Sequence, residues 1–230
     1  MITIINNLLL QLELLSTPLE FGLLYSFKDS AKKSYWLVTE EENLTTVIDK
    51  QSDYFEQCRG ILNNEWFDKN ANLLILHKVD EINEKFHKLV LKVEEDPYLF
   101  KKQVLLYKDA EVQKLNEILN TENITLKEFL DQNLLIDKVY EIHKNQINNN
   151  NWESLIYRIA QKIPIIRLNI SRSNGLSVLI EENKQKVDVG NHKEINSLLE
   201  NIFFQKSSEE ILEIDNDLIF NLLNGKENEN

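Results

Sequence analysis

Glycine and proline are scarce in this sequence, whose 230 residues include 5 glycines and 3 prolines. Average usage would give roughly 16 and 12. A glycine-poor chain has few positions where the backbone can turn left-handed or approach a phosphate closely. Gly225-Lys226 lacks the upstream glycine of a phosphate-binding loop, and no Gly-x-Ser-x-Gly sequence occurs. These absences argue against a P-loop ATPase, a nucleophile-elbow enzyme, a β-propeller and a collagen-like repeat.

Cysteine and long apolar runs are also nearly absent. The single cysteine, Cys58, cannot form an internal disulfide, which predicts a reducing cytoplasmic setting. It falls beside Phe55 on the apolar face of a predicted helix, a position typical of a buried, inert thiol. No run reaches the ~18–20 apolar residues of a membrane helix, and residues 1–10 lack the features of a secretion signal. We therefore expect no membrane association.

Clustered basic residues are missing as well. The chain has 38 acidic and 26 basic residues and a formal net charge of -12. Its longest basic pieces, Lys32-Lys33 and Lys101-Lys102, are flanked by acids, so we expect no direct nucleic-acid binding by the isolated chain. The histidines are scattered, without the short spacing of a zinc or iron site: His77, His87, His143 and His192. The sequence thus predicts no metal or other cofactor.

The first part of the chain alternates between strand and helix patterns. Residues 41–60 place apolar side chains on one helical face. Short apolar or alternating runs predict strands at Phe21–Phe27, Tyr35–Val38, Leu73–Leu76, Leu89–Val93 and Val104–Tyr107. Residues 1–107 are therefore predicted to form a small mixed α/β sheet domain with about five strands.

Helical patterns dominate from residue 108 onward. Thr125 and Glu128 form a capping box at one helix start. Pro164 ends a helix that begins near Trp152, and a β-hairpin is predicted at about 164–180. Two more helices are predicted at about 193–204 and 208–223. Residues 108–230 are thus predicted to form a mainly helical domain whose element order resembles a winged helix, and the whole chain is predicted to be α+β.

The densest group of charges, Glu94–Lys102, directly follows a predicted strand. Carboxylates that hold Mg²⁺ beside a lysine are typical of a metal-dependent nuclease, for which this chain offers Asp80, Glu94, Asp96 and Lys101. However, Val90 stands where a second acid would precede Lys92. The alternative is a structural crossover with Tyr98 and Phe100 packed and the charges solvated, and it fits Pro97 better.

The same segment resembles a known family. An apolar strand, then Glu-Glu-Asp-Pro-Tyr-Leu-Phe-Lys-Lys, then a second strand ending in Tyr107 is similar to the small middle components of bacterial ABC-three-component conflict systems. Lamassu-type antiphage operons belong to that broad group. Two other segments are also similar to that family: the strand Tyr35–Val38, and the helix Trp152–Arg158, which leads into Lys162-Ile163-Pro164.

This resemblance implies a non-catalytic accessory subunit rather than an enzyme. In such systems an SMC/Rad50-like ABC ATPase senses foreign DNA and an effector such as a nuclease acts, while the middle component bridges or restrains them. The implied partners are the ATPase and the effector of the same operon. The resemblance carries over no catalytic residue, only a signature that serves folding or contact: Glu95, Asp96, Pro97, Tyr98, Phe100 and Lys101.

A bridging subunit needs aromatic anchors that a partner can desolvate. Phe203-Phe204 and Trp66-Phe67 are candidates, because neighbouring residues cannot share one helical face. The alternative for each pair is one core ring and one partly exposed ring. A protein-binding regulator or antitoxin is a further hypothesis, for which an acidic surface is expected.

Overall fold

A five-stranded mixed sheet lies between two layers of helices in the computed structural model, which describes residues 1–145 and 150–169, apart from the side chain of Lys85. The strands are β1 Leu14–Leu19, β2 Gly22–Phe27, β3 Tyr35–Glu40, β4 Ala71–Lys78 and β5 Lys101–Tyr107. The helices are α1 Ile2–Gln11, α2 Leu44–Leu62, α3 Phe67–Asn70, α4 Glu84–Glu94, α5 Asp109–Glu122, α6 Leu126–Asn133, α7 Asp137–Asn145 and α8 Trp152–Lys162. The described residues all lie in one unit, Met1–Asn169.

Strand order in the sheet follows chain order, β1-β2-β3-β4-β5. The first three strands form an antiparallel meander. The β3–β4 and β4–β5 pairs are parallel, in a register that places Tyr35 opposite Ala71 and Asn72 opposite Lys101. Parallel neighbours need crossover connections, which α2 with α3 and then α4 supply. All three parallel strands, β3, β4 and β5, therefore begin at the same end of the sheet, which we call the amino edge, and finish at the opposite edge.

Each face of the sheet has its own apolar core, because successive strand side chains point to opposite faces. Tyr35 and Leu37 of β3 join the core beneath α2 and α4. Trp36 and Val38 join the opposite core, which contains buried residues of α1 and of α5 to α8. Burial on both faces explains why the parallel strands have nearly continuous apolar sequences.

The predicted α+β class and four of the five predicted strands are confirmed. The strand predicted at Leu89–Val93 is wrong, because these residues lie in α4. Phe86, Leu89, Val90 and Val93 follow helical spacing against one core, and the Asn83 side chain caps the helix start by accepting a hydrogen bond from the amide of Phe86. The helical spacing is visible only from Phe86 to Val93, because the five residues Leu89–Val93 by themselves also fit a buried strand.

The fifth strand is instead β1, which contains Pro18. Proline lacks an amide proton and is tolerated at a sheet edge. The amide of Lys28 donates to the Glu13 carbonyl, so odd-numbered residues of β1 bond to β2 while even-numbered ones, including Pro18, face away. The missing donor therefore falls on the side of β1 that pairs with no described strand.

The other edge strand, β5, is closed by side chains. The Val104 amide donates to Oε1 of Glu94 at 2.7 Å, and Arg158 donates to the Leu106 carbonyl. Lys162 in turn holds Glu94 at 2.6 Å. Two outward backbone groups of β5 are thus bonded without a neighbouring strand.

Other predictions fall only partly on the described residues. Residues 164–169 form a turn followed by irregular chain, so the predicted hairpin does not begin as a strand there. Residues 170–180 and the helices predicted at 193–204 and 208–223 lie outside the described residues. The resemblance to a winged helix and the domain boundary between residues 107 and 108 stay predictions.

Gly22 provides the first test of this fold. A Cβ at Gly22 would lie 2.2 Å from the carbonyl oxygen of Val38 in the neighbouring strand. We expect Gly22→Ala to lower the free energy of unfolding by about 1–3 kcal/mol, because strand β3 must shift. Gly60→Ala is the control: nothing lies within 4 Å of its added Cβ, so the same change should stabilise α2 by about 1 kcal/mol. Urea denaturation measures both, and equal stability of the two variants would contradict this account.

Candidate functional site

The signature residues lie in the loop between α4 and β5, and the last of them, Lys101, begins β5. Glu95, Pro97 and Tyr98 are exposed, whereas Phe100 is buried in the core beneath α2 and α4. Leu99 has a positive φ of 64°, and the Phe100 amide donates to the Tyr98 carbonyl at 2.7 Å. This tight turn separates an outward Tyr98-Leu99 tip from an inward Phe100.

A fully buried ammonium group, that of Lys102, lies at the centre of this loop. Its Nζ is 2.6 Å from Oδ2 of Asp96. It also donates to the carbonyls of Tyr98 at 2.6 Å, Asp96 at 3.2 Å and Phe100 at 3.3 Å. A buried charge is costly unless it is paired and hydrogen-bonded, and here the loop backbone supplies most of the partners. The loop conformation and the Lys102 ammonium group therefore depend on each other.

Asp96 is held from both sides of the loop. Besides Lys102, the side chain amide of Gln51 on α2 donates to Oδ2 of Asp96 at 3.1 Å. Burial alone would raise the pKa of Asp96, but the hydrogen bonds from Lys102 and Gln51 and the charge of Lys102 outweigh it and lower the pKa below 3.8. Asp96 is thus a stable carboxylate that ties α2 to the loop.

An aromatic cluster supports the loop from below. The ring of Phe100 is 5.2 Å from that of Phe55 and 6.3 Å from that of Phe67, measured between centroids. Phe55 and Phe67 are themselves 4.9 Å apart. These three rings join α2, α3 and the loop before β5 into one packed unit.

The structure does not assemble the four residues of the nuclease hypothesis. Asp80 follows the carboxyl end of β4, whereas Asp96 precedes the amino end of β5, so about 20 Å of strand separates them. Glu94 is bound by Lys162, and Lys101 is exposed while Lys102 binds Asp96. The predicted nuclease cluster is therefore wrong as one site.

Acidic side chains do converge at the opposite edge, where the parallel strands end. A concavity of about 560 Å³ there is lined by Glu40, Glu41, Glu42, Leu76, Lys78, Asp80, Tyr107 and Asp109. Four of its charged side chains have internal partners: the Tyr107 hydroxyl donates to Glu40 at 2.7 Å, the Tyr54 hydroxyl donates to Glu41 at 2.6 Å, and Lys78 pairs with Asp109 at 2.6 Å. No group of three His, Cys, Asp or Glu side chains in residues 1–145 and 150–169 is arranged to hold a metal ion.

Cys58 and His77 are both buried within the fold. Cys58 is fully buried beneath α2, and burial raises its pKa to about 12, so the thiol stays protonated. The Nδ1 of His77, also buried, lies 2.7 Å from the Glu41 carbonyl. Both residues pack within the fold.

In the aromatic pair Trp66-Phe67, one ring is in the core and the other is partly exposed, as the alternative interpretation predicts: Phe67 is buried and Trp66 is partly exposed. Phe203 and Phe204 lie outside the described residues. The key residue that the sequence analysis missed is Lys102. Its signal was the alternation of β5, in which Lys102, Val104 and Leu106 share the buried face beneath α4.

Residues 34–133 match the family model described as ABC-three component (ABC-3C) system Middle Component 1. The matched residues include Tyr35–Val38 and the whole signature loop, so the resemblance inferred from these segments is confirmed; Trp152–Arg158 lies beyond them. No curated protein and no solved structure matches the chain. None of the helices in the described residues has the length and apolar character needed to span a membrane.

Removing the Lys102 ammonium group tests the interaction that holds the loop. We expect Lys102→Met to lower the free energy of unfolding by about 3 kcal/mol, because Asp96 and three carbonyls lose their partner. Lys101→Met, one residue away and exposed, should change it by less than about 0.5 kcal/mol. Equal effects in urea denaturation would show that the buried ammonium group is not stabilising.

The lowered pKa of Asp96 predicts a pH dependence. Because the folded pKa lies below the ordinary value of 3.8, the ion pair contributes fully above pH 3.8 and is lost as pH falls through the folded pKa. The difference in unfolding free energy between wild type and Asp96→Asn should therefore be large at neutral pH and shrink as the pH falls below 3.8 toward the folded pKa. A constant difference, measured by urea denaturation across this range, would contradict the assignment.

Proposed function

We propose that this protein is a non-catalytic, cytoplasmic accessory subunit of a bacterial antiphage complex. It bridges or restrains an SMC/Rad50-like ABC ATPase and an effector such as a nuclease, in a Lamassu-like arrangement. The observation that carries the proposal is the match of residues 34–133 to Middle Component 1 of ABC-3C systems. A middle component acts together with the other components of its system.

The use of charge within the fold supports a structural role. Asp96 pairs with Lys102, Glu94 with Lys162, and Arg158 with Glu111, all at 2.6 Å. Each pair joins a helix or loop to the region around β5. Charged side chains that are committed to internal pairs position backbone elements, and this suits a rigid adaptor.

Surface composition supports protein contacts over direct DNA contacts. The chain has a net charge of -12, which opposes binding to phosphates. Aromatic side chains are nonetheless exposed on the described surface, among them Trp66 and Tyr98. Exposed aromatic residues are the usual anchors of protein interfaces.

Co-purification tests the proposal. A tagged form of the chain would be co-expressed with the products of the adjacent genes and isolated under mild conditions. We expect an SMC-like ATPase and an effector to co-elute with the tagged chain in a fixed ratio. A chain that never associates with such an ATPase would refute the proposal.

Phe203 and Phe204 stay predicted anchors for this assembly. Phe203→Asp or Phe204→Asp should reduce recovery of the partners while the isolated chain keeps its unfolding midpoint, since truncating an anchor removes interface energy. Gln205→Asp is the control, because it adds the same charge beside the pair without removing a ring. Unchanged recovery with both phenylalanine variants would remove these residues from the interface.

A further inference from the structure

Four large apolar side chains are exposed at the amino-terminal ends of β4 and β5. Their exposed fractions are 49% for Ile61, 45% for Trp66, 67% for Tyr98 and 39% for Leu99. We name them the amino-edge patch. Ile61 and Trp66 flank the turn between α2 and α3, and Tyr98-Leu99 form the tip of the signature loop.

Contacts among neighbouring residues link the backbone segments that carry these side chains. Phe67 follows Trp66 and Phe100 follows Leu99, and the two buried rings are in contact. Lys102 fixes the Tyr98 carbonyl at 2.6 Å, and Arg59 at the end of α2 pairs with Asp68 of α3 at 3.3 Å. The exposed side chains are therefore presented by fixed backbone, which reduces the ordering cost of binding.

Charge around the patch differs from charge elsewhere on the chain. The exposed residues Glu65 and Glu95 are matched by the exposed Lys69 and Lys101. At the opposite edge of the sheet, by contrast, five carboxylates and one lysine line the acidic concavity. A strongly basic partner segment would favour the acidic edge, and a strongly acidic one would be repelled by a chain of net charge -12.

We infer that the amino-edge patch docks an apolar protein segment without net charge, contributed by another component of the complex. This inference rests on the proposed function and specifies the surface through which it operates. Trp66 and Tyr98 are the anchors, because rigid aromatic side chains contribute most to interface energy. The balanced rim sets the register of the partner segment.

The test measures binding of the co-purified partner to variants of the full chain. Trp66→Asp and Tyr98→Asp should each raise the Kd about 10-fold or more. Tyr140→Asp removes a similarly exposed ring from α7 and should leave the Kd unchanged. Unfolding midpoints identify any variant that fails to fold, and Tyr98→Ala, which adds no charge, replaces Tyr98→Asp in that case. Wild-type affinity in both patch variants, or loss only with Tyr140→Asp, would overturn the inference while leaving the proposed function intact.

Salt dependence tests the chemistry of the partner segment. Raising salt from about 0.1 M to about 0.5 M should change the Kd by less than about 3-fold, because the docked surfaces carry no net charge. A much steeper loss of affinity would overturn that part of the inference. If wild-type chain binds no other component, the proposed function itself fails. A wild-type dimer that Trp66→Asp converts to a monomer would assign the patch to a second copy and overturn the assignment to another component.

Discussion

The ion pair between Lys102 and Asp96 determines the shape of the segment that resembles the family most clearly. A lysine at this strand position points into the core, where its charge needs several partners. The loop before β5 supplies them by turning three carbonyls and one carboxylate inward. Consequently Tyr98 and Leu99 must point outward. The exposed tip is thus a direct result of satisfying one buried charge.

The two edges of the parallel part of the sheet have different chemistry. Where the strands begin, aromatic packing and the caged ammonium group present apolar side chains with balanced charge. Where the strands end, carboxylates line a concavity and are bonded to tyrosine hydroxyls and lysine. Parallel strands alone could not produce this contrast. It arises from the loop sequences, which differ between the two ends of the parallel strands.

Much of the fold could be predicted from the sequence, but the candidate site could be predicted only in part. Alternation indicates β2, short apolar runs indicate β3, β4 and β5, and the capping box at Thr125 indicates α6. Helix α4 is not evident from the sequence, because the five residues Leu89–Val93, which are apolar except for Lys92, fit a short buried strand as well as part of a helix. Alternation along β5 indicates that Lys102 shares a face with Val104 and Leu106, but the sequence does not show that the loop before β5 turns three carbonyls toward its ammonium group. Asp80 and Asp96 were grouped by composition, although strand direction places them at opposite edges.

The interrupted sheet edges have a consequence for how copies of this protein behave toward one another. Pro18 removes one outward donor from β1, and Glu94 and Arg158 occupy the outward amide of Val104 and the outward carbonyl of Leu106 in β5, so the ladder that an added strand would need is broken on both sides. Copies made in excess should therefore remain dispersed instead of templating filaments.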